Sequence, residues 1–224
     1  MELLTYERNG PVATIRMDDG KVNCLSPQML RELDEAFDRA VADGATVLLT
    51  GRERVFSAGF DLAVLRAGGE PAGQMVRAGF ELARRVLSFP TPVLIACTGH
   101  AVAMGAFLLL SADVRVGAEG PFRITANEVA IGLTVPDAAL ALCRHRLTPA
   151  AFNRAVVVAD VFSPDAALAA GFLDRVVPEA DLPRAAGETA VALSRLDMAA
   201  HAATKLRARL DVLEALRDAI DAGG

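Results

Sequence analysis

Two stretches of this chain share one layout, and together they restrict its fold more than any other feature. In the first, Thr46 to Thr50 is carried by Val47, Leu48 and Leu49 and closed by Gly51. A short apolar run bounded by glycine reads as a buried strand. Arg54-Val55-Phe56-Ser57-Ala58-Gly59-Phe60-Asp61-Leu62 follows. Asp61 is placed to cap a new helical turn, because its carboxylate can accept from the orphan N–H groups there. In the second stretch, Pro92 to Thr98 is a strand, Gly99 breaks it, and Ala103-Met104-Gly105-Ala106 opens an apolar helix that runs to Ala112. Small residues in such loops leave their amides open to a ligand. Two strand–loop–helix units of this kind can supply a pair of main-chain donors around one oxygen.

The remaining segments fit around these two. Val12 to Met17 alternates and reads as a strand, ended by Asp18-Asp19-Gly20. Ser26-Pro27, Thr148-Pro149 and Ser163-Pro164 each predict a helix start, with the hydroxyl residue as N-cap and proline at the first helical position. After Ser26, the residues Met29, Leu30, Leu33, Ala36, Phe37, Ala40 and Val41 keep helical spacing. Arg66 to Gly73, rich in glycine with one proline, is expected to be a mobile surface loop. Gln74 to Phe89 is amphipathic, with Met75, Ala78, Leu82, Val86 and Phe89 inward. Short strands are expected at 113–117 and 121–125. Strands and helices alternate to about residue 130 and helices follow, which predicts an α/β core over 1–185 and a helical C-terminal segment over 186–224.

Composition narrows the class. Hydrophobic residues make up 53% of the 224, enough for a large core, and the net charge is -5. There is no basic stripe to exchange for counterions on nucleic acid, so no nucleic-acid partner is expected. Cys24, Cys97 and Cys143 lie far apart, against a metal site or a disulfide framework and in favour of a reducing compartment. The N-terminal residues have no signal-peptide character, and no apolar run approaches the ~20 residues that cross a bilayer. The expectation is a soluble, cytoplasmic protein with no membrane partner.

Four elements in order resemble the crotonase superfamily, the enoyl-CoA hydratase/isomerase proteins. Val22-Asn23-Cys24-Leu25-Ser26 is similar to the family's N-terminal Asn-x-Leu-Ser element. Phe56 to Leu62 is similar to its first oxyanion-hole motif, and Pro92 to Asp113 to the strand and helix of its second. Ala166 to Val177 resembles its later Ala-rich, Gly-x-x-Asp-x-Val-Val segment. The resemblance spans roughly residues 5 to 206 and implies a crotonase-type α/β superhelix of repeated ββα units with a helical C-terminal part, assembled as trimers or dimers of trimers. It implies an acyl-CoA thioester as ligand and no separate cofactor, since coenzyme A is part of the substrate. The amides of Ala58 and Met104 would hold the thioester oxygen. Asn23, Cys24 and Leu25, with Ser57, Gly59, Phe60, Asp61 and Leu62, would line the CoA channel, and Gly105 and Phe107 would lie beside the substrate.

Departures from the family pattern point to a subtype. Many hydratases carry a catalytic glutamate three residues after the second oxyanion-hole donor, and here that residue is Phe107. A second glutamate is retained as Glu128. The pattern Asn127-Glu128-x-x-Ile131-Gly132 resembles that of the Δ3-Δ2-enoyl-CoA isomerases, which work with this single carboxylate. Met104 stands where the family often has glycine, so its side chain must point away from the ligand. One carboxylate suffices for a 1,3-proton shift, whereas hydration also needs a held water, which Phe107 cannot bind. The expectation is isomerisation of a 3-enoyl-CoA by Glu128. The alternatives are a weak hydratase or a non-catalytic acyl-CoA binding protein. His100, His145 and His201 read as structural or surface residues. Ser57 lacks the Gly-x-Ser-x-Gly elbow of a hydrolase nucleophile. Arg52 and Arg54, flanking the first loop, read equally well as CoA-phosphate contacts or as solvated surface.

Overall fold

The computed structural model describes residues 1–223. The chain runs β1 (Leu4–Asn9), β2 (Val12–Met17), β3 (Cys24–Leu25), α1 (Pro27–Ala42), β4 (Thr46–Thr50), β5 (Arg54–Ser57), β6 (Gly59–Phe60), α2 (Leu62–Ala67) and α3 (Gly69–Ser88). It continues through β7 (Val93–Cys97), β8 (Gly99–Val102), α4 (Met104–Ser111), β9 (Val114–Ala118), β10 (Ile124–Thr125), α5 (Asp137–Arg146), α6 (Pro149–Val158) and α7 (Pro164–Ala170). Last come β11 (Arg175–Val177), α8 (Leu182–Leu193), α9 (Met198–Ala208) and α10 (Leu210–Asp221). No helix among the described residues is long and apolar enough to cross a membrane.

Strand pairing makes the repeat visible. A six-stranded sheet has the order β1-β2-β4-β7-β9-β11, parallel except for the β1–β2 pair. A three-stranded parallel sheet has the order β10-β8-β5. In three successive units, β4–β5, β7–β8 and β9–β10, the first strand joins the large sheet and the second joins the small one. The apolar runs at β4 and β7 show no polar alternation because both faces of the large sheet are covered. Val47, Leu49, Val93, Ile95 and Cys97 enter the main core, while Leu48, Leu94 and Ala96 face a second core built with α8. All eight residues of α4 are buried, as a helix that is apolar all round requires.

The three Ser/Thr-Pro starts hold. Ser26, Thr148 and Ser163 accept from the amides of Met29, Ala151 and Ala166, each contact worth about 1 kcal/mol. Several expectations are corrected. Arg66 to Gly73 is not a loop: Gly68 joins the end of α2 to the first turn of α3. Pro71 sits in that first turn, where its missing N–H costs nothing, and Ala72 reaches the core. On α3, Met75, Leu82 and Val86 face inward, but Ala78 is exposed and Gly79, Phe80, Ala83 and Leu87 take the buried face. Gly99 does not merely end a strand; it begins β8. The residues of the first loop also pair as strands: β6 binds β3 in parallel, with Cys24 opposite Gly59 and Leu25 opposite Phe60. The chain is not purely helical after residue 130, since β11 extends the large sheet beside β9.

The boundary at 185 falls inside α8, whose Leu182, Ala185, Ala186 and Ala190 pack on the sheet. The last helix belongs to the core as well, through Val212, Leu216 and Ile220. One buried ionic cluster ties the C-terminal helices to the sheet. Asp113 accepts from Lys205 Nζ at 2.7 Å and from the Val93 N–H at 2.7 Å, and pairs with Arg209 at 2.8 Å. Arg209 also donates to the Leu87 carbonyl at 2.9 Å. These contacts fix α9 and the start of α10 against α3, which carries part of the site described next.

Candidate active site

The first loop is stitched from behind by a polar turn. Asn23 is fully buried at a positive φ of 52°, which asparagine tolerates better than most residues. Its Nδ2 donates to the carbonyls of Met17 at 3.1 Å and Phe56 at 3.2 Å, and its Oδ1 accepts from the Asp19 N–H at 3.0 Å. Burial by itself would raise the Asp19 carboxyl, but three backbone N–H donors, from Lys21, Asn23 and Cys24, outweigh it and hold that carboxyl below its usual range. Ser57 Oγ donates to the Asn23 carbonyl at 2.8 Å and accepts from the Gly59 N–H at 3.1 Å. The Ala58 N–H donates to the Val22 carbonyl at 3.0 Å.

That last bond overturns one expectation. Ala58 cannot be the first oxyanion donor, because its N–H is spent within the fold. Asn23, Leu25, Ser57, Gly59 and Gly105, expected to line the ligand channel, are buried. Asn23 and Ser57 spend their side chains on the loop's own backbone and act as its scaffold. Cys24 and Asp61 are half-buried, and Asp61 caps α2 as expected, accepting from the Ala63 N–H at 2.8 Å. Arg52 is committed to this turn too, donating to the Lys21 carbonyl at 2.7 Å. Arg54 lies 5.3 Å over the Phe122 ring.

The two loops meet directly. Gly59 has φ 87°, and a Cβ there would lie 2.8 Å from the Val102 carbonyl oxygen and 3.3 Å from the Met104 nitrogen. A Cβ on Gly105 would lie 2.5 Å from the Ser57 carbonyl oxygen. Only glycine permits backbones to approach so closely. Ala103, the residue before α4, is held at φ 50° and ψ -123° with no side-chain cap. Met104 therefore opens α4 as one of the first-turn amides that have no carbonyl behind them, at the positive end of the helix. The Met104 side chain is fully buried in the core, away from the loop surface, as the substitution for glycine requires.

A cavity of 170 Å³ opens where the loops meet. Ala58, Phe60, Leu62 and Ala103 line it from the loops, Phe107 from α4 and Glu128 from the residue before the Val129–Ile131 turn. Glu128 precedes a single 3₁₀ turn, Val129–Ile131, and is 8% exposed. Its Oε2 is buried without a hydrogen-bond partner among the described residues. Burial pushes its carboxyl above the ordinary range, opposed only by its own backbone N–H. Asn127 Oδ1, beside it, is likewise unpartnered. Phe80, Val76 and Asn127 also line the cavity and were not anticipated, although Val76 and Phe80 lie four apart on one helix face, the spacing that signals a shared surface.

None of the histidines lines the cavity. His100 Nδ1 accepts from the Arg123 N–H at 3.0 Å, a structural role. His145 and His201, expected at the surface, are half-buried, and burial together with Arg146 pushes His145 down to about 4.

Two apposed main-chain bends and an apolar cavity surround one buried carboxylate, Glu128, whose Oε2 has no partner among the described residues. The enoyl-CoA hydratase/isomerase family model matches residues 7–222, and the chain belongs to that family of acyl-CoA enzymes. An enoyl-CoA hydratase from Mycobacterium marinum is 49% identical, with 99% of this chain and 97% of that one covered and a TM-score of 0.95. An enoyl-CoA isomerase from Mycobacterium tuberculosis is 48% identical, with the same coverage and a TM-score of 0.96. Among curated proteins, a carnitinyl-CoA dehydratase from Salmonella typhi is 32% identical over 193 residues, covering 84% of this chain and 73% of that protein.

Proposed function

We propose that this protein isomerises a 3-enoyl-CoA to the 2-enoyl-CoA, with Glu128 as its single acid/base group and the Phe60 and Met104 amides as donors to the thioester oxygen. The observation that carries the reading is the carboxylate: Glu128 is buried, with Oε2 unpartnered among the described residues, and is set in the cavity that the two loops share, while the other family position is the apolar Phe107. A thioester's C2 proton is only weakly acidic, so the dienolate left by its removal needs donors at the oxygen. One such donor is typically worth about 2.7–4 kcal/mol in the transition state. With the Ala58 and Gly59 amides committed, the next N–H along the first bend is that of Phe60, whose residue lines the cavity. Glu128 takes the proton from C2, the double bond moves from C3=C4 to C2=C3, and the same carboxyl returns the proton at C4. The raised affinity of Glu128 for protons strengthens it as a base. The reaction needs no metal and no cofactor beyond the CoA already in the substrate.

Hydration of a 2-enoyl-CoA is the second reading. The hydratase and dehydratase names of relatives favour it, as does the unpartnered Asn127 Oδ1 beside Glu128. Phe107 weighs against it, because a ring cannot hold the water. A non-catalytic binding role has least support, since a carboxylate kept buried and unpaired costs stability that simple binding does not require. The deciding assay supplies purified protein with a 3-enoyl-CoA and, separately, with a 2-enoyl-CoA scored for the 3-hydroxyacyl product. Conversion of the second and not the first would overturn the isomerase reading.

Gly59→Ala tests the apposed bends. The new methyl would press on the Val102 carbonyl and the Met104 nitrogen. We expect kcat to fall about 10²–10³-fold, the loss typical of one oxyanion donor, with KM changed far less. A fall in kcat under threefold would remove this contact from the mechanism. A homotrimer or dimer of trimers is proposed as the working assembly. Val157, Val158 and Val161 are exposed together near the Val129–Ile131 turn, an apolar surface suited to a second copy. Sedimentation equilibrium at micromolar concentration checks this, and a monomer there rules it out.

A further inference from the structure

We propose that Phe80 and Phe107 form a rigid floor that limits this enzyme to short acyl groups, of about four to six carbons by volume. The inference rests on the acyl-CoA reading above and adds the substrate class. Exposure gives the cavity a direction. Leu62, Ile131 and Leu133 are 48%, 50% and 49% exposed and form its rim, whereas Phe80 and Phe107 are each 1% exposed at its inner end. Phe80 and Phe107 stack with centroids 6.5 Å apart and planes at 26°, and Phe60 meets Phe80 edge-on at 6.3 Å. The wall is therefore continuous aromatic surface from the first bend to the floor.

This wall has little freedom to yield. The Phe60 ring occupies space that only glycine leaves open on α3, since a Cβ on Gly79 would lie 2.4 Å from it. Stacked rings with few rotatable bonds, packed in a core of crystal-like density, do not move aside for a chain end. The cavity measures 170 Å³. At roughly 30 Å³ per water-sized group it takes about six heavy atoms, and pockets for drug-sized ligands begin near ~300 Å³. With the carbonyl oxygen counted, the space is filled by a butenoyl to hexenoyl group.

The test is a chain-length series. kcat/KM is measured for 3-hexenoyl-, 3-octenoyl- and 3-decenoyl-CoA on the wild type, Phe107→Ala, Phe107→Leu and Phe80→Leu. Binding of butyryl-, hexanoyl- and decanoyl-CoA is measured by calorimetry on the same proteins. The wild type is expected to lose about tenfold or more between hexenoyl and decenoyl, and trimming Phe107 or Phe80 to raise the decenoyl-to-hexenoyl ratio about tenfold. If Phe107→Ala does not fold, the two leucine variants carry the test. A wild type that handles decenoyl as well as hexenoyl overturns the floor, and so do variants that lower every length equally. If no 3-enoyl-CoA is turned over at any length, the isomerase reading falls, and the saturated acyl-CoA series still decides the floor by itself.

Discussion

Glu128→Gln is expected to lower turnover of a 3-enoyl-CoA by about 10²–10⁴-fold and, at neutral pH, to raise the melting temperature. Both effects follow from one placement. Among the described residues the carboxylate is the only ionisable group lining the cavity, and glutamine keeps its shape while losing the proton acceptor. The same carboxylate lies buried with Oε2 unpartnered, a cost to the folded state that the neutral amide reduces. The pH dependence has a definite sign. Burial raises the Glu128 carboxyl above its ordinary 4.5 in the folded protein. Between that ordinary value and the raised one, the folded state holds more protons than the unfolded state. Stability therefore falls as pH rises through this window, and the penalty is complete above it. The stability advantage of Gln over Glu should be full above the raised value and should shrink as the pH drops toward 4.5. Activity runs the other way: kcat/KM should rise with pH along one limb whose midpoint lies above 4.5, because the base must first lose its proton. Calorimetric melting across pH and a pH–rate profile check the pair. A glutamine variant of undiminished turnover would take Glu128 out of the reaction.

Asp113→Ala is expected to cost about 3–5 kcal/mol, the range for breaking a buried ion pair from one side. The loss would leave Lys205 and Arg209, both buried, facing each other without an anion, and would strip the Val93 N–H of its acceptor. Removing the opposite charge should behave differently. In Lys205→Met, Asp113 keeps Arg209 and the Val93 amide, and a buried ammonium is replaced by an apolar chain of similar length. Burial already pushes Lys205 down to about 8, with Asp113 opposing that push and Arg209 and Arg146 adding to it. Its charged form is therefore disfavoured where it sits, and we expect Lys205→Met to be within about 1 kcal/mol of wild type or more stable. Urea denaturation of the two variants separates them. Equal losses would mean that the cluster acts through packing alone. Because Arg209 also holds the Leu87 carbonyl at the end of α3, loosening in Asp113→Ala should extend to the helix that carries Val76 and Phe80.

Much of the local structure is legible in the sequence. Hydroxyl-proline pairs marked three helix starts because capping is a local hydrogen bond. Apolar runs marked β4 and β7 because strands covered on both faces need no alternation. The glycines of the two bends read as openings for a ligand, whereas Gly59 and Gly105 serve the close approach of the two backbones to each other. The errors have one cause. β3, β6 and β8 form only by pairing with strands distant in the sequence, so their own residues read as loop. Arg66 to Gly73 read as a loop because glycine and proline are local punctuation, whereas packing on the core recruits Ala72 into α3.

The site divides along the same line. Residue types and order alone determined the family, the retained Glu128 and the apolar Phe107, because the kinds of chemistry open to a side chain are properties of that side chain. Which main-chain N–H groups are open was decided by tertiary structure. Ala58 appears available in sequence, yet its hydrogen goes to Val22, brought to it by the turn that Asn23 and Asp19 hold together. The size of the cavity was decided there too, since Phe60, Phe80 and Phe107 come from three separate elements. An amide's partner and a cavity's floor are set by contacts between residues far apart in the chain, which no local pattern encodes.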